Sequence, residues 1–144
     1  MQNILVLCIG NICRSPLAEA LLRRQLPSKT IWSAGMKALV GNPADPESVA
    51  VAVQHGLDLS AHRAQQLTAW MCQRAELILL MEQSQKFDLE QQYPWTRGKV
   101  FRLGDWSDFD IVDPYLQSRE AFNVAYACIS RGVTDWVPRI KQLG

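Results

Sequence analysis

A chain of 144 residues with a formal net charge of +1 has the length of one ordinary domain, expected to span residues 1–144. This charge gives no global reason to expect binding to nucleic acid. No apolar run approaches the roughly 20 residues of a membrane span, so no membrane insertion is expected. The first residues show neither a basic segment nor a cleavage site, so we expect no secretory signal and a cytoplasmic location.

The stretch 3–26 predicts a buried strand, a loop and a helix. Ile4–Leu7 form the short continuous apolar run that is typical of a strand in a parallel sheet. Ser15 and Pro16 have the pattern of a helix N-cap followed by a first-turn proline, and apolar residues then recur at helical spacing. A loop therefore connects the end of a buried strand to the N-terminus of a helix.

That loop has the residues of an anion-binding site. Backbone N–H groups in such a turn form a concave nest, and the helix adds the positive end of its dipole. Gly10 permits backbone angles closed to other residues, and Asn11 tolerates a left-handed conformation. Arg14 offers two parallel donors to one phosphate-like group. The same field favours the thiolate of Cys8, which is the nucleophilic form.

The rest of the chain alternates predicted strands and helices. Strands are predicted over Thr30–Ala34, Leu77–Met81 and Lys99–Leu103, and helices after Asp45-Pro46, after Thr68, over Ser84–Gln91 and after Ser118, with a kink or restart at Pro138. The order β-α-β-α-α-β-α-β-α predicts a small parallel sheet with helices on both faces. We expect a flavodoxin-like arrangement of four strands in the order 2-1-3-4, with Cys8 where the order reverses.

Four aspartates follow Gly104, and one of them, Asp113, precedes a proline. The four are Asp105, Asp108, Asp110 and Asp113, and most are expected to be solvated charges. Pro114 confines Asp113 to extended conformations and stiffens the turn, which helps to aim its carboxyl group.

The four cysteines indicate neither a metal site nor a disulfide framework. Cys72 and Cys128 stand alone in apolar surroundings and are expected to be inert core residues. Cys13 lies five residues after Cys8. Its thiol has two open roles, as a disulfide partner of Cys8 or as a small apolar side chain packed under the loop.

Cys8 to Ser15, with Pro16, Ala18 and Glu19, resembles the phosphate loop of the bacterial low-molecular-weight protein tyrosine phosphatases. The likeness extends, in the same order along the chain, to Ser33-Ala34-Gly35, His55-Gly56-Leu57-Asp58, Ser60–Ala64 and Asp113-Pro114-Tyr115.

This resemblance implies hydrolysis of phosphotyrosine through a cysteinyl-phosphate, with inorganic phosphate as product and no metal or organic cofactor. Cys8 would be the nucleophile, Asp113 the general acid, and Arg14 the phosphate ligand. The implied substrate-binding residues are Ile9, Gly10, Asn11, Ile12, Cys13, Ser15, Leu39 and Tyr115, and Ser33 and His62 would support Asn11. The implied partner is a phosphotyrosine protein, such as a tyrosine autokinase that controls surface polysaccharide.

Two other functions use a similar loop. A thiol-dependent arsenate reductase needs further cysteines in a relay, and Cys72 has no partner seven or eight residues on. A non-catalytic phosphate-binding module would be expected to keep Arg14 but lose Cys8 or Asp113, and both are present.

Overall fold

Four parallel strands form one sheet in the computed structural model, which describes residues 1–144. The strands are β1 (Asn3–Cys8), β2 (Thr30–Gly35), β3 (Leu77–Leu80) and β4 (Val100–Arg102), in the order β2-β1-β3-β4. All three neighbouring pairs are parallel. The predicted flavodoxin-like order 2-1-3-4 is confirmed. Because β1 has β2 on one side and β3 on the other, its carboxyl end lies at the topological switch point, where the strand order reverses.

Five α-helices cover the two faces of this sheet. They are α1 (Arg14–Gln25), α2 (Pro46–Gln54), α3 (Ala69–Arg74), α4 (Gln83–Gln92) and α5 (Arg119–Gln142). Side chains of a strand alternate between faces, so Ile4 and Val6 pack with α1, α2 and α5 in the larger core. Leu5 and Leu7 pack in the smaller core against α3 and α4. None of the helices combines the length and apolar character that a membrane span needs.

Three of the predicted helix caps are present, and the fourth is wrong. The side chains of Asp45, Thr68 and Ser118 accept hydrogen bonds from the first turns of α2, α3 and α5. Helix α1 begins at Arg14, so Ser15 already lies inside its first turn. The Ser15 hydroxyl bonds to loop side chains instead of capping the helix.

Helix α5 continues through Pro138 without a restart. Proline removes one backbone donor near the end of the helix, while the flanking Val137 and Ile140 remain in the core. Packing of this final segment therefore outweighs the missing hydrogen bond. Earlier in α5, a Cβ atom on Gly132 would lie 2.8 Å from the backbone oxygen of Leu103, so glycine allows α5 to approach the end of β4 closely.

Candidate active site

A cavity of about 150 Å³ opens at the carboxyl end of β1. It is lined by Cys8, Ile9, Gly10, Ile12, Cys13, Arg14, Lys37, Leu39, Asp113 and Tyr115. Nine of these were candidate site residues in the sequence, and Lys37 was not. The structure thus brings together the loop after β1, the loop after β2 and the distant loop that carries Asp113.

Six consecutive carbonyl groups of the loop accept hydrogen bonds from surrounding groups. The oxygens of Cys8, Ile9, Gly10 and Ile12 accept from the N–H groups of Met36, Lys37, Leu39 and Asp45, the Asn11 oxygen bonds His62, and the Cys13 oxygen accepts from Ser48. In a trans peptide, the carbonyl and the following N–H point in opposite directions. Carbonyls held outward in this way turn the N–H groups of residues 9–14 toward the concave side of the loop.

Asn11 is the central residue of the network behind the loop. Its φ of 59° is left-handed, which asparagine tolerates better than most residues. Its Nδ2 donates to Ser15 Oγ at 2.7 Å and to Ser33 Oγ at 3.0 Å, while its Oδ1 accepts from the Gln65 amide at 3.0 Å. His62 Nε2 lies 2.6 Å from the Asn11 carbonyl oxygen and therefore donates to it. Gly10, by contrast, does not adopt a positive φ.

Hydrogen bonds connect the Asn11 side chain to the Cys8 thiol through Ser15. The Asn11 amide nitrogen can only donate, so Ser15 Oγ accepts from it and keeps its own proton free. Cys8 Sγ lies 2.9 Å from Ser15 Oγ, so the Ser15 hydroxyl can donate to Sγ when Cys8 is a thiolate. Likewise, Ser33 accepts from Asn11 and donates to Glu19 Oε1 at 2.5 Å. A hydroxyl donating to sulfur stabilises the thiolate over the thiol.

Arg14 is only 1 % exposed, yet one of its donors has no acceptor in the protein. Its Nη1 donates to Glu82 Oε1 at 2.5 Å and to the Ile111 carbonyl at 2.6 Å. Its Nη2 lies 3.5 Å from Asp113 Oδ2. The buried Nε is unpaired. An unpaired buried donor is costly, and an oxyanion held in the loop would supply the missing acceptor.

Glu82 was not identified in the sequence, although a recognisable pattern surrounds it. It precedes α4 and forms a capping box with Gln85, the third residue of that helix. Gln85 Oε1 accepts from the amides of Met81 and Glu82, and its Nε2 lies 3.4 Å from Glu82 Oε1. The pattern reveals the cap, but not that its carboxylate binds Arg14.

Asp113 reaches the cavity from the loop that precedes α5. Tyr115 donates its amide to Asp113 Oδ1 at 3.1 Å, and the Asp113 side chain is 42 % exposed. A turn follows, in which the Gln117 amide donates to the Pro114 carbonyl and Leu116 has a φ of 63°. Tyr115 therefore lies on the rim of the cavity, beside the carboxyl group.

The other three aspartates of this loop are not merely solvated, contrary to expectation. Asp105, Asp108 and Asp110 bond to Arg102 at 2.8, 2.7 and 3.0 Å. These bonds, that to Asp108 foremost, outweigh partial burial and raise the pKa of Arg102. The cluster was not predictable from the sequence, because the aspartates follow Arg102 in a segment of irregular backbone that has no periodic pattern.

Gly35 allows the loop after β2 to lie against the phosphate loop. A Cβ atom at this position would lie 2.5 Å from the Ile9 carbonyl oxygen. Leu39, two residues beyond Lys37, then reaches the cavity wall, whereas Val40 is 67 % exposed and does not line it. Of these two neighbouring aliphatic residues, only Leu39 contributes to the wall of the cavity.

The model of the family described as low molecular weight phosphotyrosine protein phosphatase matches residues 3–143. The chain belongs to this family. It is therefore a phosphatase, and the cavity at Cys8 is its candidate active site.

Relatives of this phosphatase cover almost its whole length. It is 55 % identical over 144 residues to the probable low molecular weight protein-tyrosine-phosphatase EpsP of Ralstonia solanacearum, covering 100 % of this chain and 99 % of the relative. It is 45 % identical over 141 residues to the low molecular weight protein-tyrosine-phosphatase Wzb of Escherichia coli K12, covering 97 % of this chain and 96 % of that one.

Solved structures share the fold closely. Vibrio vulnificus Wzb in complex with benzylphosphonate superposes with a TM-score of 0.93 at 43 % identity, covering 96 % of this chain and 98 % of that one. The YwlE arginine phosphatase from Geobacillus stearothermophilus gives a TM-score of 0.92 at 29 % identity, covering 99 % and 94 % of the two chains. The fold is therefore shared by Wzb and by an arginine phosphatase.

The remaining cysteines of the phosphatase differ in their surroundings. Burial, with the carboxylates of Asp45 and Asp113 nearby, raises the pKa of Cys13, and its thiol and that of Cys8 are both free. Burial also raises the pKa of Cys72 to about 11, in line with an inert core thiol. Cys128 was expected to be a core residue, but it is only half-buried.

Proposed function

We propose that this phosphatase hydrolyses phosphotyrosine in proteins through a cysteinyl-phosphate on Cys8. The observation that carries the proposal is the outward anchoring of six consecutive loop carbonyls around the Cys8 thiol. This anchoring turns the loop amides inward, where they can bind the equatorial oxygens of a phosphoryl group. Arg14 Nε and Nη2 are the side-chain donors for the same oxygens.

In the first step, the Cys8 thiolate attacks phosphorus and the bond from phosphorus to the phenolic oxygen breaks. The electron pair of that bond moves to the phenolic oxygen, which takes the proton of Asp113. The loop amides and Arg14 stabilise the charge on the phosphoryl group during its transfer, so the proposed mechanism uses no metal ion.

In the second step, water attacks the cysteinyl-phosphate, and Asp113 accepts a proton from it. The sulfur–phosphorus bond breaks and its electron pair returns to Cys8 as a thiolate. Ser15 stabilises that leaving group, because its hydroxyl lies 2.9 Å from Sγ and can donate to the thiolate. Inorganic phosphate is released as the product.

The walls of the cavity favour an aromatic ester. Ile9, Leu39 and Tyr115 line the space around the Cys8 thiol. A flat apolar ring gains from burial against such walls. YwlE is an arginine phosphatase. A phosphorylated guanidinium would leave polar N–H groups against the same apolar surfaces.

The partner that we propose is a phosphotyrosine protein of the cytoplasm, with a tyrosine autokinase that controls surface polysaccharide as the specific candidate. The support for this is the resemblance of the compact loop Ala38-Leu39-Val40-Gly41 to that of bacterial family members, together with the bacterial relatives EpsP and Wzb. A phosphotyrosine proteome of cells with the active or the inactive protein would identify the substrate.

Hydrolysis of matched peptides tests the proposed activity. Peptides of one sequence carrying phosphotyrosine, phosphoserine or phosphoarginine are assayed for phosphate release, and arsenate with thioredoxin is assayed for reduction. We expect release from the phosphotyrosine peptide above all. Faster release from phosphoarginine, reduction of arsenate, or binding of phosphotyrosine without turnover would contradict the proposal and identify which alternative is correct.

A further inference from the structure

Arg102 connects three parts of the loop that leads to Asp113. Its side chain is 14 % exposed and lies at the end of β4. Its Nε donates to Asp105 at 2.8 Å, its Nη2 to Asp108 at 2.7 Å and its Nη1 to Asp110 at 3.0 Å. All three nitrogens of the guanidinium are therefore engaged with one loop, a planar arrangement that a single ammonium cannot reproduce.

Asp110 is the member of this cluster that lies nearest to Asp113 along the chain. The Oδ1 atom that accepts from Arg102 also lies 3.1 Å from the amide nitrogen of Gln83, the first residue of α4. The next residue, Ile111, donates its amide to the Met81 carbonyl at 2.9 Å and accepts from Arg14 at 2.6 Å. The loop is thus fixed at Asp110 and Ile111, immediately before Asp113.

Asp113 itself has few contacts that would fix its position. Its carboxylate accepts from the Tyr115 amide and lies 3.5 Å from Arg14, and 42 % of its side chain is exposed. Its placement therefore depends on the segment that precedes it and on Pro114 after it. A displacement of about 1 Å at a reacting group can cost as much as a hundredfold in rate.

We propose that Arg102 is a positioning residue for the general acid, holding the loop through Asp110 so that the Asp113 carboxyl group reaches the leaving oxygen. The inference rests on the proposed function, because it assigns Arg102 a role through Asp113. Arg102 does not touch the cavity, and it does not contact Cys8 or Arg14. Its loss should therefore affect protonation of the leaving group, not binding of the phosphoryl group.

The test uses kcat/KM for a series of aryl phosphates, which reports the step that expels the phenol. In Arg102→Met, the value for phenyl phosphate should fall about tenfold, because the basic phenolate needs the proton. The value for p-nitrophenyl phosphate should fall by less than about twofold, because its leaving group is more acidic. The inhibition constant of vanadate should stay within about twofold of wild type, since the loop and Arg14 are intact.

Three companion variants separate positioning from a loss of folding. Arg102→Lys restores one donor and should recover part of the loss. The near-isosteric Asp110→Asn keeps the Oδ1 acceptor but loses the charge, so it should show the same kind of leaving-group dependence to a smaller extent. Arg97→Met is the matched control, since Arg97 is exposed and its side chain makes no bond. Thermal unfolding checks that each variant is folded.

Equal losses for all leaving groups in Arg102→Met and Asp110→Asn, or weaker vanadate binding, would overturn the positioning role. Asp113→Ala is measured beside them. If Asp113→Ala shows leaving-group dependence and the Arg102 and Asp110 variants do not, only this inference fails. If Asp113→Ala shows none, the assignment of Asp113 as the general acid in the proposed function fails as well.

Discussion

Nη1 of Arg14 lies 2.5 Å from Oε1 of Glu82, so the arginine of the phosphate loop is anchored to a residue that follows β3, outside its own loop. The arginine side chain is 1 % exposed and the glutamate 31 %. A buried charge is tolerated when it is paired and hydrogen-bonded. Because Nη1 binds Glu82, the Nε and Nη2 side of the guanidinium is the side that the proposed mechanism assigns to the phosphoryl group.

Replacing Glu82 should therefore damage both stability and anion binding. In Glu82→Ala, the buried Arg14 loses the carboxylate that binds its Nη1, and we expect the free energy of unfolding to fall by about 2–4 kcal/mol. Vanadate inhibition should weaken about tenfold, because the guanidinium is no longer held toward the loop. Glu120→Gln is the control, since Glu120 is exposed and makes no ion pair. Vanadate inhibition as strong as in wild type would show that Arg14 does not need this anchor.

Removal of the Asp113 carboxyl group should slow the reaction in proportion to the basicity of the leaving group. For Asp113→Ala, we expect kcat/KM to fall about a hundredfold or more with phenyl phosphate, the range of general acid catalysis. With the more acidic p-nitrophenol the loss should be smaller. A series of substituted phenyl phosphates measures how steeply log(kcat/KM) depends on the pKa of the leaving phenol. The same slope for wild type and variant would rule out Asp113 as the acid.

Asn11 should contribute through its side chain and through its backbone conformation, and two variants separate these contributions. Asn11→Ala removes the bonds to Ser15, Ser33 and Gln65 and places alanine at a φ of 59°. Asn11→Gly removes the same bonds but accepts that conformation. Denaturant unfolding should show both variants destabilised, with Asn11→Ala worse by about 1 kcal/mol. Equal stability of the two variants would mean that the left-handed backbone carries no cost.

Cys13 is predicted to protect Cys8 against irreversible oxidation. Peroxide oxidises the Cys8 thiolate to a sulfenic acid, and Cys13 sulfur can displace its hydroxyl as water, closing a disulfide. Because burial raises the pKa of Cys13, this closure should be faster at higher pH, where more of the attacking thiolate is present.

Peroxide inactivation followed by dithiothreitol tests this on wild type and Cys13→Ser. Wild type should recover its activity, and the variant should recover less, because its sulfenic acid proceeds to sulfinic acid. Equal recovery of both proteins, with no intramolecular disulfide by mass spectrometry, would leave Cys13 as a packing residue only.

Local patterns were sufficient to predict most of the fold. The apolar runs at Ile4–Leu7 and Leu77–Met81 marked the two central strands, because strands buried on both faces have no polar positions. The caps at Asp45, Thr68 and Ser118 were predictable because the cap and its partner lie within three residues. Ser15 had the same local pattern, but its hydroxyl bonds to Cys8 and Asn11 instead.

Contacts between distant segments were not predictable from a single sequence. Glu82 lies 68 residues from Arg14 along the chain, and no local pattern links them. Gln65 donates its backbone N–H to the Asn11 side chain. Its identity could not indicate this contact, because every non-proline residue has a backbone N–H. Arg102 and its aspartates are closer in sequence, yet their pairing depends on the irregular path of the loop.

The covalent intermediate is the most direct test of the mechanism. Asp113→Ala is mixed with p-nitrophenyl phosphate, whose acidic leaving group depends less on the general acid. The reaction is quenched in acid within milliseconds, and the protein is digested for mass spectrometry. Without Asp113 as the base, hydrolysis of the cysteinyl-phosphate should be slower, so this intermediate should accumulate. We therefore predict a phosphate on the peptide that contains Cys8. The double variant Asp113→Ala, Cys8→Ser should carry no phosphate. Turnover without any phosphoenzyme, or a phosphate on another residue such as Ser15, would contradict the mechanism.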